Sequence, residues 1–261
     1  MEKFKTLYTE LVHGILTITL NDPEAGNVLS TQSIAELHTV IQAIYDDPQI
    51  QCAIIIGTGE KAFSIGSDVE EMCKLNELNA RKFAENGQEA FSLIENSAKP
   101  ILAAVNGDAL GGGCELALAC HLRIAVEGAT LGFPAVMRGV IPGFGGTQRL
   151  AYLVGKSRAL ELLMTGNVLT AAEASNIGLV SHVASSRQAI LDKSQEILHK
   201  IMANAPLAVG ALVNCTNAAY NPHEDGYQTE ANAFANCCKS EDFHEGIAAL
   251  LATRKPKFRG F

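Results

Sequence analysis

Residues 106–120 are NGDALGGGCELALAC, and this stretch decides the fold. Three consecutive glycines, Gly111 to Gly113, interrupt an apolar run, and Glu115 follows within a helix-like apolar segment. Glycine lacks a Cβ and lets the backbone approach a ligand closely. A helix that begins after such a turn points free N–H groups at that ligand. Backbone donors beside a carboxylate therefore predict a site that stabilises an oxyanion and moves a proton.

Strands and helices alternate on both sides of this stretch. Short apolar runs rich in β-branched residues predict strands, and apolar residues at helical spacing, as after the N-cap Ser30, predict helices. The alternation predicts right-handed ββα or βαβ crossovers and a mixed α/β core. The predicted strands are two within 7–20, 52–57, 101–105 and 122–126, and the predicted helices are 31–46, 79–97 and one from about 112.

The composition changes near residue 157, beyond which the chain becomes mostly helical. A chain of 261 residues is close to the upper limit for one hydrophobic core, so a large unit with an appendage is favoured over two equal halves. We therefore predict a core at 1–156 that carries the site and a helical region at 157–261. The helices expected in the second region are 171–176, capped by Thr170, 186–203 and 206–220.

The overall composition excludes several classes of protein. The net charge of −8 argues against general binding of nucleic acid or anionic lipid. Seven cysteines without a CxxC pair fit a reducing compartment. No stretch approaches 18 apolar residues, and the first residues lack a hydrophobic signal core. We expect a cytoplasmic protein with neither nucleic acid nor membrane as a partner.

Motifs for nucleotides and metals are incomplete. Residues 57–62 match G-x-G-x-x-A superficially, but another turn at 63–68 follows where the dinucleotide fingerprint needs a helix. The tripeptide at 155–157 lacks the upstream glycine of a P-loop, because Leu150 stands there. Neither HExxH, nor zinc spacing of His and Cys, nor a GxSxG elbow occurs. The sequence therefore predicts no metal and no nucleotide cofactor.

Two glycine turns remain, at 65–68 and at 111–113, and each follows a predicted buried strand. A pair of backbone N–H groups from two such loops is the usual construction of an oxyanion hole. Glycines also serve plain chain reversals, and residue types alone leave both interpretations open.

Several motifs, in the same order along nearly the whole chain, resemble the crotonase (enoyl-CoA hydratase/isomerase) superfamily. The resemblance implies a spiral of ββα units with a helical C-terminal region that serves trimerisation and forms a lid. It also implies assembly into a homotrimer or homohexamer. The matching stretches are Gly14–Asn21, Asn27–Ser30, Ala62–Val69, Lys99-Pro100, Gly111–Ala117, Ile141–Leu150, Ser240–Gly246 and the basic tail at 254–259.

The resemblance also implies the chemistry. The substrate would be an acyl-CoA thioester, with no further cofactor, and the N–H groups of Ser67 and Gly112 would hold the thioester oxygen. Such donors accelerate a reaction when charge develops on that oxygen in an enolate. Glu115 would be the catalytic acid/base, although a glutamate in a first helical turn also compensates the helix dipole. Cations of the tail at 254–259 would face the CoA phosphates.

One departure from the family pattern concerns the second catalytic glutamate. Hydratases of the family use two glutamates about twenty residues apart, and the segment expected to carry the second is LGFPAV at 131–136, with Ala135 in its place. Hydration needs water activated at one carbon and a proton delivered to the other, which two carboxylates do jointly. We therefore expect hydratase activity to be lost or greatly reduced.

Several functions stay open at this point. Glu115 alone would support a Δ3,Δ2-enoyl-CoA isomerase, and the oxyanion hole alone would support a decarboxylase. A non-catalytic subunit that binds acyl-CoA is an alternative of another class, and a carrier-bound acyl thioester is an alternative substrate. Asp108, Ala135 and Arg138 are candidate pocket residues, and Arg138 would favour a negatively charged acyl group unless it forms a surface salt bridge.

Overall fold

The computed structural model describes residues 4–261, which fold around two β-sheets. Fully apolar strands are buried on both faces, and the predicted strands are all confirmed. The described strands are β1 (Leu7–Val12), β2 (Ile15–Leu20), β3 (Cys52–Gly57), β4 (Ala62–Ser64), β5 (Ile101–Val105), β6 (Asp108–Leu110), β7 (Leu122–Val126), β8 (Thr130–Gly132), β9 (Val168–Thr170) and β10 (His182–Ala184).

Helices pack against the sheets and make up most of the last part of the chain, up to residue 251. The predicted caps are confirmed, because Ser30 accepts from Ser33 N and Thr170 forms a capping box with Glu173. The helices are α1 (Thr31–Asp46), α2 (Val69–Met72), α3 (Glu77–Glu95), α4 (Gly112–Ala119), α5 (Gly146–Val154), α6 (Lys156–Thr165), α7 (Ala171–Asn176), α8 (Arg187–Met202), α9 (Pro206–Ala218), α10 (Gly226–Cys237), α11 (Glu241–Leu251) and a 3₁₀ helix at Pro134–Arg138.

The strand order confirms the predicted mixed α/β architecture of ββα units. The larger sheet runs β1-β2-β3-β5-β7-β10 and the smaller one runs β4-β6-β8-β9. Successive units β3-β4, β5-β6 and β7-β8 each place one strand in the larger sheet and the next in the smaller sheet. Within the larger sheet, β2 to β10 are parallel and β1 is antiparallel to β2.

The smaller sheet positions the site. Strand β4 pairs in parallel with β6, and parallel strands end at the same edge of a sheet. The turn at 65–68 follows β4 and the turn at 111–113 follows β6, so the two glycine turns lie side by side.

The region after residue 157 contributes strands as well as helices. Strand β9 pairs with β8 of the smaller sheet and β10 pairs with β7 of the larger sheet. Beyond β10, the described chain holds helices alone, α8 to α11. The division at 156/157 therefore stays a prediction, and both sheets take strands from either side of it. Among the described residues, no single helix has the length and apolar character to cross a membrane; only α8 and α9 together, bent by 107°, meet those criteria.

Candidate active site

The turn after β4 approaches the turn after β6 closely. Gly66 has φ of +98°, and a Cβ built on it would lie 2.7 Å from Leu110 O and 3.0 Å from Gly112 N. A side chain at this position would collide with backbone atoms, so glycine is required for the approach.

Two backbone N–H groups meet where these turns touch. The amides of Ser67 and Gly112 donate to no acceptor within residues 4–261. Gly112 is the first residue of α4, where an N–H has no partner inside the helix. A Cβ built on Gly112 would lie 3.4 Å from Ser67 N, so the two donors are neighbours. Both residues line a cavity of about 1020 Å³, and this is the arrangement expected of an oxyanion hole.

Glu115 lies in the first turn of α4 and lines the same cavity. Its residue surface is only 2% exposed. Oε1 accepts hydrogen bonds from Phe144 N and Gly146 N, both at 2.7 Å. These two bonds hold the carboxyl in one orientation.

The surroundings of Glu115 change its proton affinity. Burial raises the pKa of the carboxyl, while the amides of Gly146, Phe144 and Gly143 and the charge of Arg149 lower it. The effect of burial is the largest, so the pKa is raised. A carboxyl whose pKa is moved towards neutrality takes up and releases protons efficiently at working pH. The side chain is therefore suited to act as a base and then as an acid.

A family model described as enoyl-CoA hydratase/isomerase matches residues 10–260. The chain belongs to the enoyl-CoA hydratase/isomerase family. The crotonyl-CoA hydratase of Syntrophomonas wolfei is 40% identical over 256 residues, with 98% of each chain covered. The short-chain-enoyl-CoA hydratase of Clostridium acetobutylicum is 39% identical, with 92% of each covered.

A solved structure of the family confirms the fold. The crystal structure of enoyl-CoA hydratase from Bacillus anthracis superposes with a TM-score of 0.92 at 35% identity, covering 98% of this chain and 100% of that one. The crotonase-type α/β architecture predicted from the sequence is therefore confirmed, including the helical C-terminal region.

The cavity of this family member holds few carboxylates. Ala135, on the 3₁₀ helix, lines it without an acid. Among residues 4–261, the lining carboxylates are Glu115 and Glu95, and Glu95 Oε2 accepts from Arg149 Nε and Nη2 at 3.1 and 2.9 Å. Glu115 is thus the one lining carboxylate of the described chain that is not in an ion pair.

Arg138 also lines the cavity, at the end of the 3₁₀ helix. The side chain is exposed, and within the described residues it forms neither an ion pair nor a hydrogen bond. The surface salt bridge considered from the sequence is therefore not formed within residues 4–261.

The structure does not bring Asp108 to the cavity, contrary to the expectation from its place before the glycines. Its Oδ1 accepts from Thr130 Oγ1 at 2.7 Å and Thr130 N at 3.1 Å. Asp108 begins β6 and Thr130 begins β8, so this carboxylate joins two neighbouring strands at the end of β6 remote from the glycine turn.

The basic tail lies against the last helix rather than in the cavity of its own chain. Arg254 Nη1 and Nη2 donate to the carboxylate of Glu245 at 2.6 and 2.7 Å, and Asp242 accepts from the amides of Arg259 and Gly260. None of the residues 254–259 lines the cavity described here. The expected contact of the tail with CoA phosphates therefore stays a prediction.

Residue-by-residue reasoning missed the segment 143–146, which it treated only as part of a family motif. This segment supplies the two amides that hold Glu115. Gly145 has φ of +103°, and a Cβ on Gly146 would lie 2.8 Å from Glu115 Cγ. The glycine pair just before a helix was the available signal, because close approach of the backbone to a side chain requires it.

Proposed function

We propose that this protein acts on acyl-CoA thioesters and moves a proton through an enolate, with Glu115 as the only acid/base. The relatives named above as hydratases of crotonyl-CoA and short-chain enoyl-CoA support the class of substrate. The observation that carries the reaction is one unpaired carboxylate in a cavity that also contains two free backbone donors.

The geometry favours isomerisation of a β,γ-enoyl thioester. The N–H groups of Ser67 and Gly112 hold the thioester oxygen, and the Glu115 carboxylate removes a proton from the α carbon. The electron pair of the broken C–H bond moves into a dienolate whose charge lies on that oxygen. The same carboxyl then returns its proton to the γ carbon, so the double bond moves to the α,β position and Glu115 is regenerated.

Hydration is disfavoured because, among the described residues, Glu115 is the one carboxyl of the cavity outside an ion pair. Adding water across a double bond requires one group to activate water and another to protonate carbon. Ala135 has no ionisable group, and Glu95 is engaged by Arg149. The proposed reaction needs only one carboxyl, which the cavity supplies.

The two reactions are separated by assaying a 3-enoyl-CoA for isomerisation and crotonyl-CoA for hydration. We expect wild-type protein to isomerise faster than it hydrates and E115Q to abolish isomerisation. E85Q, which changes an exposed glutamate of α3, is the matched control and should behave as wild type. A135E should raise hydration at least about tenfold, since a positioned acid contributes factors of this order.

Rapid hydration by wild-type protein would contradict the proposed reaction. Loss of that hydration in E95Q, with the titration of Glu115 unchanged, would then identify Glu95 as the second acid. Tight binding of acyl-CoA with no turnover of either compound would instead favour the non-catalytic subunit.

Arg138 favours a second candidate, decarboxylation of a thioester with a negatively charged acyl group. The guanidinium, which has no ion-pair partner among the described residues, would attract the acyl carboxylate. The C–C bond to that carboxylate then breaks and CO₂ leaves. The electron pair of the broken bond forms the enolate, which takes a proton from solvent. R138Q should lower kcat/KM roughly tenfold or more for a malonyl-type CoA ester, the loss expected for one hydrogen bond to a charged group, and leave a neutral ester unchanged. R158Q, on the exposed surface of α6, is the control, and equal losses on both esters would exclude this candidate.

The helices α8 to α11 are proposed to form the contact of a homotrimer or homohexamer. Large apolar side chains are exposed on the single chain there, among them Leu212, Phe234 and Leu251, and α10 buries none of its residues. Sedimentation equilibrium tests this assembly, and a monomeric mass would contradict it. The cytoplasmic location, the need for no cofactor and the lack of nucleic-acid or membrane partners stay predictions.

A further inference from the structure

The segment 143–146, which holds Glu115, is itself held at both ends. Gln88 Nε2 donates to Gly143 O at 2.9 Å, and this carbonyl belongs to the peptide whose N–H reaches Glu115. Gly145 O accepts from two amides of the first turn of α5, at 3.0 and 3.1 Å. Gly145 O belongs to the same peptide as Gly146 N, which is the second donor to Glu115. The orientations of both donating peptides are therefore fixed by hydrogen bonds on their carbonyl sides.

Arg149 fixes the peptide between them. Its Nη1 donates to Phe144 O at 2.8 Å, and its Nε and Nη2 donate to Glu95 Oε2. The Arg149 side chain is only 8% exposed, against 36% for Glu95. A planar guanidinium with donors on two edges can hold a carbonyl and a carboxylate at once.

The charge of Arg149 acts on the same carboxyl. Burial raises the pKa of Glu115, and the positive charge of Arg149 opposes that rise. Arg149 therefore acts on Glu115 in two ways. It holds the carbonyl of Phe144, whose N–H donates to Glu115, and its positive charge acts on the carboxyl directly.

We propose that Arg149, held by Glu95, is a positioning residue that acts on Glu115 through the backbone of segment 143–146 and through its positive charge. This assignment rests on the proposed role of Glu115 as the base. It assigns a role to the ion pair between α3 and α5, whose two members both line the cavity, and it gives Glu95 an electrostatic role instead of a catalytic one.

The variants R149Q and E95Q should shift the pH–rate profile in opposite directions. In R149Q the opposing positive charge is lost, so the acidic limb of the kcat/KM profile moves to higher pH. We also expect kcat to fall roughly 10- to 100-fold with a smaller change in KM, because the base is misplaced. In E95Q the negative charge is lost while Arg149 remains, so the acidic limb moves to lower pH. R149K keeps the charge, so it should lower kcat while leaving the acidic limb near that of wild type.

A measurement without turnover separates this inference from the proposed function. The protein is labelled with glutamate carrying ¹³C in its carboxyl, and the Glu115 resonance is assigned by its loss in E115Q. Its titration midpoint should rise in R149Q, fall in E95Q and stay unchanged in R81Q, which breaks the exposed Arg81–Glu85 pair. Shifts of this kind in a protein that turns over no substrate would refute only the proposed function.

Equal titration midpoints in wild type, R149Q and E95Q would overturn the inference and leave the pair a purely structural contact. If R149Q does not fold, E95Q decides alone: a lower midpoint supports the inference, and an unchanged one overturns it.

Discussion

Replacement of Gly112 by alanine tests the oxyanion hole with one methyl group. The new Cβ would lie 3.4 Å from Ser67 N and 3.2 to 3.3 Å from the ring edge of Phe144. A thioester oxygen that accepts from Ser67 N must come to about 3 Å from it, so the methyl occupies the space that this oxygen needs. Displacing the oxygen from one such donor should cost about as much as removing that donor, about 3 kcal/mol in the transition state. We therefore expect kcat for enolate formation to fall roughly 100- to 1,000-fold.

The same substitution should leave the fold intact. Gly112 does not have a positive φ, so alanine fits its backbone conformation, and the tight contact with Phe144 is made to a side chain and not to backbone. We expect the unfolding midpoint to stay within about 3 °C of wild type. The assay is α-proton exchange followed beside thermal unfolding, with G128A as control, because nothing lies within 4 Å of a Cβ there. A folded G112A protein with the wild-type rate would refute the oxyanion hole.

Three further predictions concern Gly146, Glu115 and Asn106. G146A puts a Cβ 2.8 Å from Glu115 Cγ, so kcat should fall roughly 10-fold or more. The acidic limb of the pH–rate profile should also move to higher pH, because the Gly146 amide lowers the pKa of Glu115. An unchanged pH–rate profile would contradict this. E115Q should raise the thermal unfolding midpoint at pH 7, because a carboxyl whose pKa is raised in the folded state destabilises the fold at pH values above its unfolded-state pKa of about 4.3. In calorimetry the gain should vanish below about pH 4.3. A lower midpoint of E115Q at pH 7 would contradict this prediction. N106A removes the acceptor of Gly57 N and the donor to Gly59 O, so urea unfolding should show a loss of about 2 to 3 kcal/mol with unchanged activity per folded molecule.

Local patterns in the sequence predict the parts of the site that local structure builds. The sequence predicted both glycine turns, but the short strands β4 and β6, whose parallel pairing brings Gly66 and Gly112 together, were not among the predicted strands. Ser30 and Thr170 cap helices within three residues of themselves. Each of these features depends on residues that are close in the chain or on a repeated ββα unit.

Contacts between residues far apart in the chain could not be predicted from local sequence patterns. The amides that hold Glu115 come from 29 and 31 residues away, and Arg149 meets Glu95 across 54 residues. No periodicity encodes these pairings. Asp108 shows the converse error, since nearness in sequence to the glycines suggested a pocket residue, whereas the carboxylate bonds to Thr130 of the neighbouring strand.

The role of Glu115 as the lone base is tested most directly by hydrogen exchange. A 3-enoyl-CoA and a saturated acyl-CoA are incubated with protein in D₂O, and deuterium at the α and γ carbons is measured by mass spectrometry. Wild-type protein should incorporate deuterium, and E115Q should do so at least about 100-fold more slowly, as removal of a general base costs factors of this order. Unchanged exchange in a folded E115Q protein would contradict the account, because another group would then be moving the proton.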